Sequence, residues 1–115
     1  MSKGCDQLLG IVQEIFPNQK IILEHNIAAV GALFLDIYLP QLSLAFEFDG
    51  EQHFAYSQHF HGTPEAFRSY KKRDLLKTNK CTELGITLVR VRFDEGLSKD
   101  LVLDKINKAL DHKDN

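Results

Sequence analysis

Apolar residues at Leu8, Ile11, Val12 and Ile15 repeat with the spacing of one helical face, behind Ser2, a good N-cap. This predicts a helix over 2–16, ended by Phe16-Pro17-Asn18, because the residue before proline is pushed out of helical geometry. Strand patterns follow at 20–25, 32–39 and 42–48, the second stopped by Pro40 and the third by Asp49-Gly50. The short Pro40-Gln41 link predicts an antiparallel hairpin between the last two. Residues 50–63 read as a loop rich in histidine and aromatic residues. Thr63 and Pro64 open a helix running to about Leu84, closed by Gly85. A β-branched strand over 86–93 and a helix capped by Ser98, with Leu101, Ile106 and Leu110 inward, complete the chain. The order α-β-β-β-α-β-α, with a strand–helix–strand passage, predicts an α/β fold: a mixed sheet of about four strands flanked by helices.

The length of 115 residues is that of one domain, and 43% apolar content suffices for a core. No apolar run reaches the roughly 18 residues of a membrane span, and the Met1–Asp6 start lacks the apolar stretch of a signal peptide. Two cysteines, Cys5 and Cys81, provide neither a disulfide framework nor a zinc finger. A reducing cytoplasm, prokaryotic or phage-infected, is the expected setting, with no membrane partner.

The net charge of −2 is unevenly spread. Residues 1–56 carry seven acids and two bases, whereas 68–92 carry eight bases and two acids. An acidic cluster beside a basic segment suits a metal site that handles a polyanion.

The acids sit where strands ought to be apolar. Glu47 and Asp49 share one face of the third strand, and Asp36 interrupts Leu33-Phe34-Leu35 and Ile37-Tyr38-Leu39 on the second. Buried unpaired charge is costly, so these carboxylates need a reason. One is a shared hard cation, Mg²⁺ or Mn²⁺, within reach of all three. The other is structural pairing with Arg and Lys of the basic helix.

These residues resemble the PD-(D/E)XK nuclease superfamily, and within it the small single-domain branch related to very-short-patch repair endonucleases. The likeness rests on Leu35-Asp36-Ile37-Tyr38-Leu39-Pro40, then Glu47-Phe48-Asp49-Gly50-Glu51-Gln52-His53, then Lys72-Arg73-Asp74 with Lys77, and the strand after Gly85, covering residues 31–93. It implies a restriction-endonuclease-like core and a metal-dependent endonuclease acting on DNA. Asp36, Glu47 and the Phe48 backbone carbonyl would hold the metal.

The motif lysine of that family falls at position 49, which here is Asp49, a candidate ligand for a second metal. Gln52, His53 or a lysine reaching across from the helix, with Lys77 best placed and Arg73 next, are candidates for the lysine's role. Related chains open with Ser-x-Gly-Glu, whose Glu serves the site; here that position is Cys5, with Asp6 or Glu14 as stand-ins or Cys5 as simple packing. Lys71, Lys72, Arg73, Lys77 and Lys80, with His59 and His61, are candidate nucleic-acid contacts, while Phe54, Tyr56 and Phe60 could stack on bases or pack on the sheet. Asp74, on the inner stripe with Phe67, Tyr70 and Cys81, is set either to pair with Arg90 or Arg92 or to serve the site.

Cutting both strands of DNA needs two sites, so a homodimer or larger homo-oligomer is expected. The alternative is a non-catalytic or RNA-directed binding module of the same fold, because RAP domains share the Glu-x-Asp-Gly-x-x-His pattern.

Overall fold

A computed structural model describes residues 2–51 and 62–114. The elements are α1 (Lys3–Ile15), β1 (Ile22–Asn26), β2 (Phe34–Leu39), β3 (Leu44–Asp49), α2 (Pro64–Leu84), β4 (Thr87–Arg92) and α3 (Lys99–Asp114). The four strands form one sheet in the order β1-β2-β3-β4. β1–β2 and β2–β3 are antiparallel, and β3–β4 is parallel across the α2 crossover. The expected α/β class, element order and mixed pairing are therefore present.

The helix ends follow their sequence signals. Ser2 accepts the Cys5 N–H at 3.1 Å, Thr63 accepts that of Ala66 at 3.1 Å, and Ser98 accepts that of Leu101 at 3.1 Å. Gly85 closes α2 with φ 74°, a left-handed cap that glycine adopts without strain.

The strands begin one or two residues later than the sequence reading has them, and two further details differ. The hairpin link is longer than Pro40-Gln41: Pro40–Leu42 form a 3₁₀ turn and Ser43 is left-handed, so β3 begins at Leu44. On α3 the fully turned-in residues are Val102 and Ile106, while Leu110 is 43% exposed.

One face of the sheet packs Ile37, Leu39, Leu44, Phe46, Val89 and Val91 against Cys5, Leu8 and Val12 of α1 and Val102 and Ile106 of α3. A second cluster joins Leu35, Ala45, Cys81 of α2, Ile27 and Ile86. Side chains such as Phe46, Leu8 and Ile37 are fully buried, each stabilising the fold by about 1.5–3 kcal/mol. Gly4 allows a close approach: a Cβ there would lie 2.3 Å from the Phe48 ring. The first turn of α1 is thus seated on β3 beside Glu47.

The faces switch at one row of the sheet. Glu24 has φ 51°, left-handed for a non-glycine strand residue, and the β1–β2 pairing skips its row yet keeps the same register on either side, Leu23↔Ile37 and His25↔Leu35. His25 stacks on Tyr38 with ring centroids 4.8 Å apart, although strict alternation from the Ile22↔Tyr38 pair would put it on the opposite face. Leu35 likewise joins the α2-side cluster with Tyr38. Both follow from a reversal of side-chain direction at the row that holds Glu24 and Asp36.

Candidate functional site

The last paired residues of β2 and β3 are Ile37↔Phe46, and one step further the same register sets Asp36 opposite Glu47. There β2 peels away from β3. Phe48, whose N–H would otherwise continue the ladder, donates instead to Asp36 Oδ2 at 3.1 Å. A side-chain oxygen thus replaces a backbone acceptor and fixes the Asp36 carboxyl group. The N–H and C=O of an extended residue point to the same side of its strand, so the Phe48 carbonyl also faces Asp36.

Glu47 is 4% exposed. Burial, then a hydrogen bond and charge from Asp36, push its carboxyl up to about 8, against a weaker downward pull from Lys77. Burial beside a second carboxyl group therefore favours the protonated, neutral form of Glu47. Lys77 reaches across from α2 to place Nζ 2.7 Å from Glu47 Oε1. The ammonium is close but off the hydrogen-bond axis, so that buried oxygen has no aligned donor.

These groups line a cleft of about 390 Å³ with Ser2 and Cys5 of α1, Glu24, Phe34, Phe48, and Tyr70, Arg73 and Asp74 of α2. Burial first, then the nearby Asp36 and Glu47 charges, drive the Cys5 thiol up to about 12. Cys5 is therefore a neutral packing residue that also forms cleft wall. Burial and the charge of Asp74 push Tyr70 up to about 12. Arg73 Nη2 donates to the Ala32 carbonyl, tying α2 to the β1–β2 connection at the cleft mouth.

The other candidates lie elsewhere. Asp49 is buried and accepts from Arg90 Nη1 at 3.2 Å; Arg90 also reaches Asp74 Oδ1 at 3.0 Å and Thr78 Oγ1 at 2.7 Å. Asp74 is thus paired with Arg90, one of the two arginines expected, while Arg92 holds Asp94. Lys71 and Lys72 are exposed on α2 outside the cleft lining, and Lys80 lies 3.5 Å from Glu83. Glu14 bonds Lys99 at 3.1 Å, so this stand-in is committed to joining α1 and α3 and does not line the cleft. Gln52, His53, Phe54, Tyr56, His59, Phe60 and His61 fall outside the described residues.

Glu24, Phe34 and Tyr70 are cleft residues that the sequence reading did not single out as site groups. Glu24 carried the same signal as Asp36, an acid inside an apolar strand.

Among the described residues no group of three or more His, Cys, Asp or Glu side chains is arranged to hold a metal ion. The donors that converge are two carboxyl groups and the side of β3 that bears the Phe48 carbonyl. No helix among the described residues is long and apolar enough to cross a membrane.

No family model matches the chain, and no solved structure matches it. It is similar to three viral proteins. It is 41% identical over 61 residues to "Uncharacterized protein 307L" of Invertebrate iridescent virus 6, covering 53% of this chain and 31% of that protein. It is 32% identical over 83 residues to "Uncharacterized protein 033L" of Invertebrate iridescent virus 3, covering 72% and 43%. It is 40% identical over 63 residues to "Uncharacterized protein 094L" of Frog virus 3, covering 54% and 41%. The chain spans under half the length of these curated relatives. They belong to animal viruses, so the prokaryotic or phage setting expected from sequence has no counterpart among them.

Proposed function

We propose that the chain carries a PD-(D/E)XK-type nuclease site that hydrolyses DNA phosphodiester bonds with Mg²⁺ or Mn²⁺, on a restriction-endonuclease-like core. The observation that carries this reading is the pairing of Asp36 and Glu47 at the point where β2 leaves β3, with Lys77 2.7 Å from Glu47. Two acids facing each other, one of them buried, are unfavourable unless a cation or a proton joins them.

The donor set fits a hard divalent ion. Asp36, Glu47 and the Phe48 carbonyl offer only oxygen, and Glu47 Oε1 is buried without an aligned donor. The Phe48 N–H that fixes Asp36 is the kind of outer contact that orients a ligand. When bound, the metal supplies charge stabilisation for the phosphate and acidifies water.

The chain's own residues do the rest. Lys77 brings a positive charge to the place that Asp49 leaves vacant in the motif, since Asp49 is engaged by Arg90. Its ammonium would hold and orient a nucleophilic water or meet a phosphate oxygen. Arg73, anchored on Ala32, presents a guanidinium with further N–H donors at the cleft mouth, a geometry suited to phosphate. Cys5, Phe48 and Tyr70 supply less polar wall beside these groups.

The Lys77–Glu47 ion pair taken alone favours a second reading, a non-catalytic nucleic-acid-binding module in which the acids are structural. Incubation of supercoiled plasmid, single-stranded DNA and RNA with Mn²⁺ or Mg²⁺, with an EDTA control, separates the two. The nuclease reading expects metal-dependent cleavage that Asp36→Ala and Glu47→Ala each abolish. Equal cleavage by the double variant, or none by the wild type, refutes it. Thermal stabilisation by Mn²⁺ that disappears in the double variant is the matching binding result.

A further inference from the structure

We propose that Phe34 and Glu24 form a subsite for the base of an unpaired nucleotide, so that the cleft takes single-stranded or flapped DNA in preference to intact duplex. This rests on the nuclease reading above and specifies its substrate class.

Phe34 opens β2 two residues before Asp36 and is 48% exposed. It lines both the main cleft and an adjoining recess of about 290 Å³ formed with Glu24, Asp36 and Lys77. Its ring is therefore offered to whatever occupies the cleft. A base inside a duplex has both faces covered by its neighbours. A ring this close to the metal-binding acids can engage only a base that has left the stack, and aromatic rings serve as platforms for such bases.

Glu24 makes the site chemically selective. It lies level with Asp36, between the Leu23↔Ile37 and His25↔Leu35 pairs, holds a left-handed backbone with φ 51°, and is exposed. That conformation costs a non-glycine residue on the order of 1 kcal/mol. It accompanies the face reversal that brings Glu24 into the cleft wall. A carboxylate repels the phosphate backbone and accepts hydrogen bonds from exocyclic amines, as Glu and Asp do from cytosine. The two walls thus divide the labour. Arg73 and Lys77 on α2 meet phosphate, while Glu24 and Phe34 on the β1–β2 side meet the base. An amine-bearing base, cytosine above all, suits the carboxylate; thymine, with a carbonyl at the same position, does not.

The test is binding in EDTA, where hydrolysis plays no part. Fluorescence anisotropy follows a labelled single strand and the same sequence as duplex, and 2-aminopurine placed in the single strand reports stacking by quenching. The wild type should prefer the single strand, quench 2-aminopurine, and favour oligo-dC over oligo-dT. Phe34→Leu should weaken single-strand binding roughly 5- to 150-fold, abolish the quench and leave duplex binding within about twofold. Phe34→Trp should restore both signals, and Glu24→Ala should erase the dC-over-dT preference. Equal loss on both substrates, an unchanged affinity in Phe34→Leu, or no single-strand binding by the wild type overturns the subsite. Should Phe34→Leu fail to fold, the wild-type quench and the Glu24→Ala base preference decide the matter. A wild type that stacks single strands through Phe34 yet cuts nothing with Mn²⁺ refutes the nuclease reading alone.

Discussion

Glu47→Gln should change how stability depends on pH, in a direction fixed by the cleft. The Glu47 carboxyl sits at about 8 in the folded chain against 4.5 when solvated. Between those values the folded state holds a proton that the unfolded state has released. Stability contributed by this group is therefore complete below pH 4.5 and lost as pH rises to about 8. The slope is at most about 1.4 kcal/mol per pH unit, giving a ceiling of roughly 5 kcal/mol over that window. Lys77 opposes the shift, so Lys77→Met should extend the decline to higher pH. Urea denaturation in EDTA at pH 5.5, 7 and 8.5 measures this. The wild type should lose stability across the series, and Glu47→Gln, lacking the titration, should lose less by up to about 3 kcal/mol, the part of that ceiling between pH 5.5 and 8. On the nuclease reading, Mn²⁺ would compete with the same proton, so its stabilising effect should grow as pH rises toward 8. Parallel profiles for wild type and Glu47→Gln would refute the raised Glu47 carboxyl, whatever the plasmid assay returns.

Three further outcomes follow from contacts around the cleft. Gly4→Ala drives a Cβ to within 2.3 Å of the Phe48 ring and should cost about 1–3 kcal/mol by overpacking, read as a lower urea midpoint. Arg90→Met leaves Asp49 and Asp74 without their common guanidinium and should cost about 3–5 kcal/mol at pH 7, with partial recovery when Asp49→Asn is added. Arg73→Ala releases the Ala32 carbonyl and should speed amide exchange over residues 32–34 while leaving the exchange of β3 unchanged. No difference at 32–34 would show that the anchor does not hold that segment.

Much of this architecture was legible in the chain because the signals were local. Ser2, Thr63, Pro64, Gly85 and Ser98 each mark a helix end through a contact or conformation within one turn. The alternation of Leu44, Phe46 and Phe48 with Ala45, Glu47 and Asp49 set the two faces of β3. What stayed hidden depended on registry between elements. Asp36 and Glu47 are directly opposed only because the hairpin link occupies residues 40–43, which sets the pairing one step from Ile37↔Phe46. Asp49 reads in sequence like Glu47, yet it is taken up by Arg90 from the neighbouring parallel strand, a partner determined by the crossover. Leu110 has the helical phase of a core residue, but it lies close to the end of α3 and remains exposed.

The row of Glu24, Asp36 and Glu47 shows why an acid cluster and a defect in the sheet occur together. A regular strand alternates its side chains and fills its ladder, leaving no room between strands for a polar group and no backbone oxygen to spare. Reversing the faces at Glu24 and Asp36 ends the β2–β3 ladder after Ile37↔Phe46. The Phe48 amide then needs a new acceptor, and Asp36 supplies it. The opening so created is lined by the acids that a continuous apolar strand would have excluded, and by the α2 cation that approaches them. On this account the left-handed backbone at Glu24 and the Asp36–Phe48 hydrogen bond are one device. Asp36→Leu, which removes the acceptor but suits the apolar run, should let the β2–β3 ladder extend by a residue pair and narrow the cleft. Slowed exchange of the Phe48 amide, together with loss of Mn²⁺ binding, would be the signature; faster exchange at Phe48 would mean that the split in the sheet does not depend on the carboxylate.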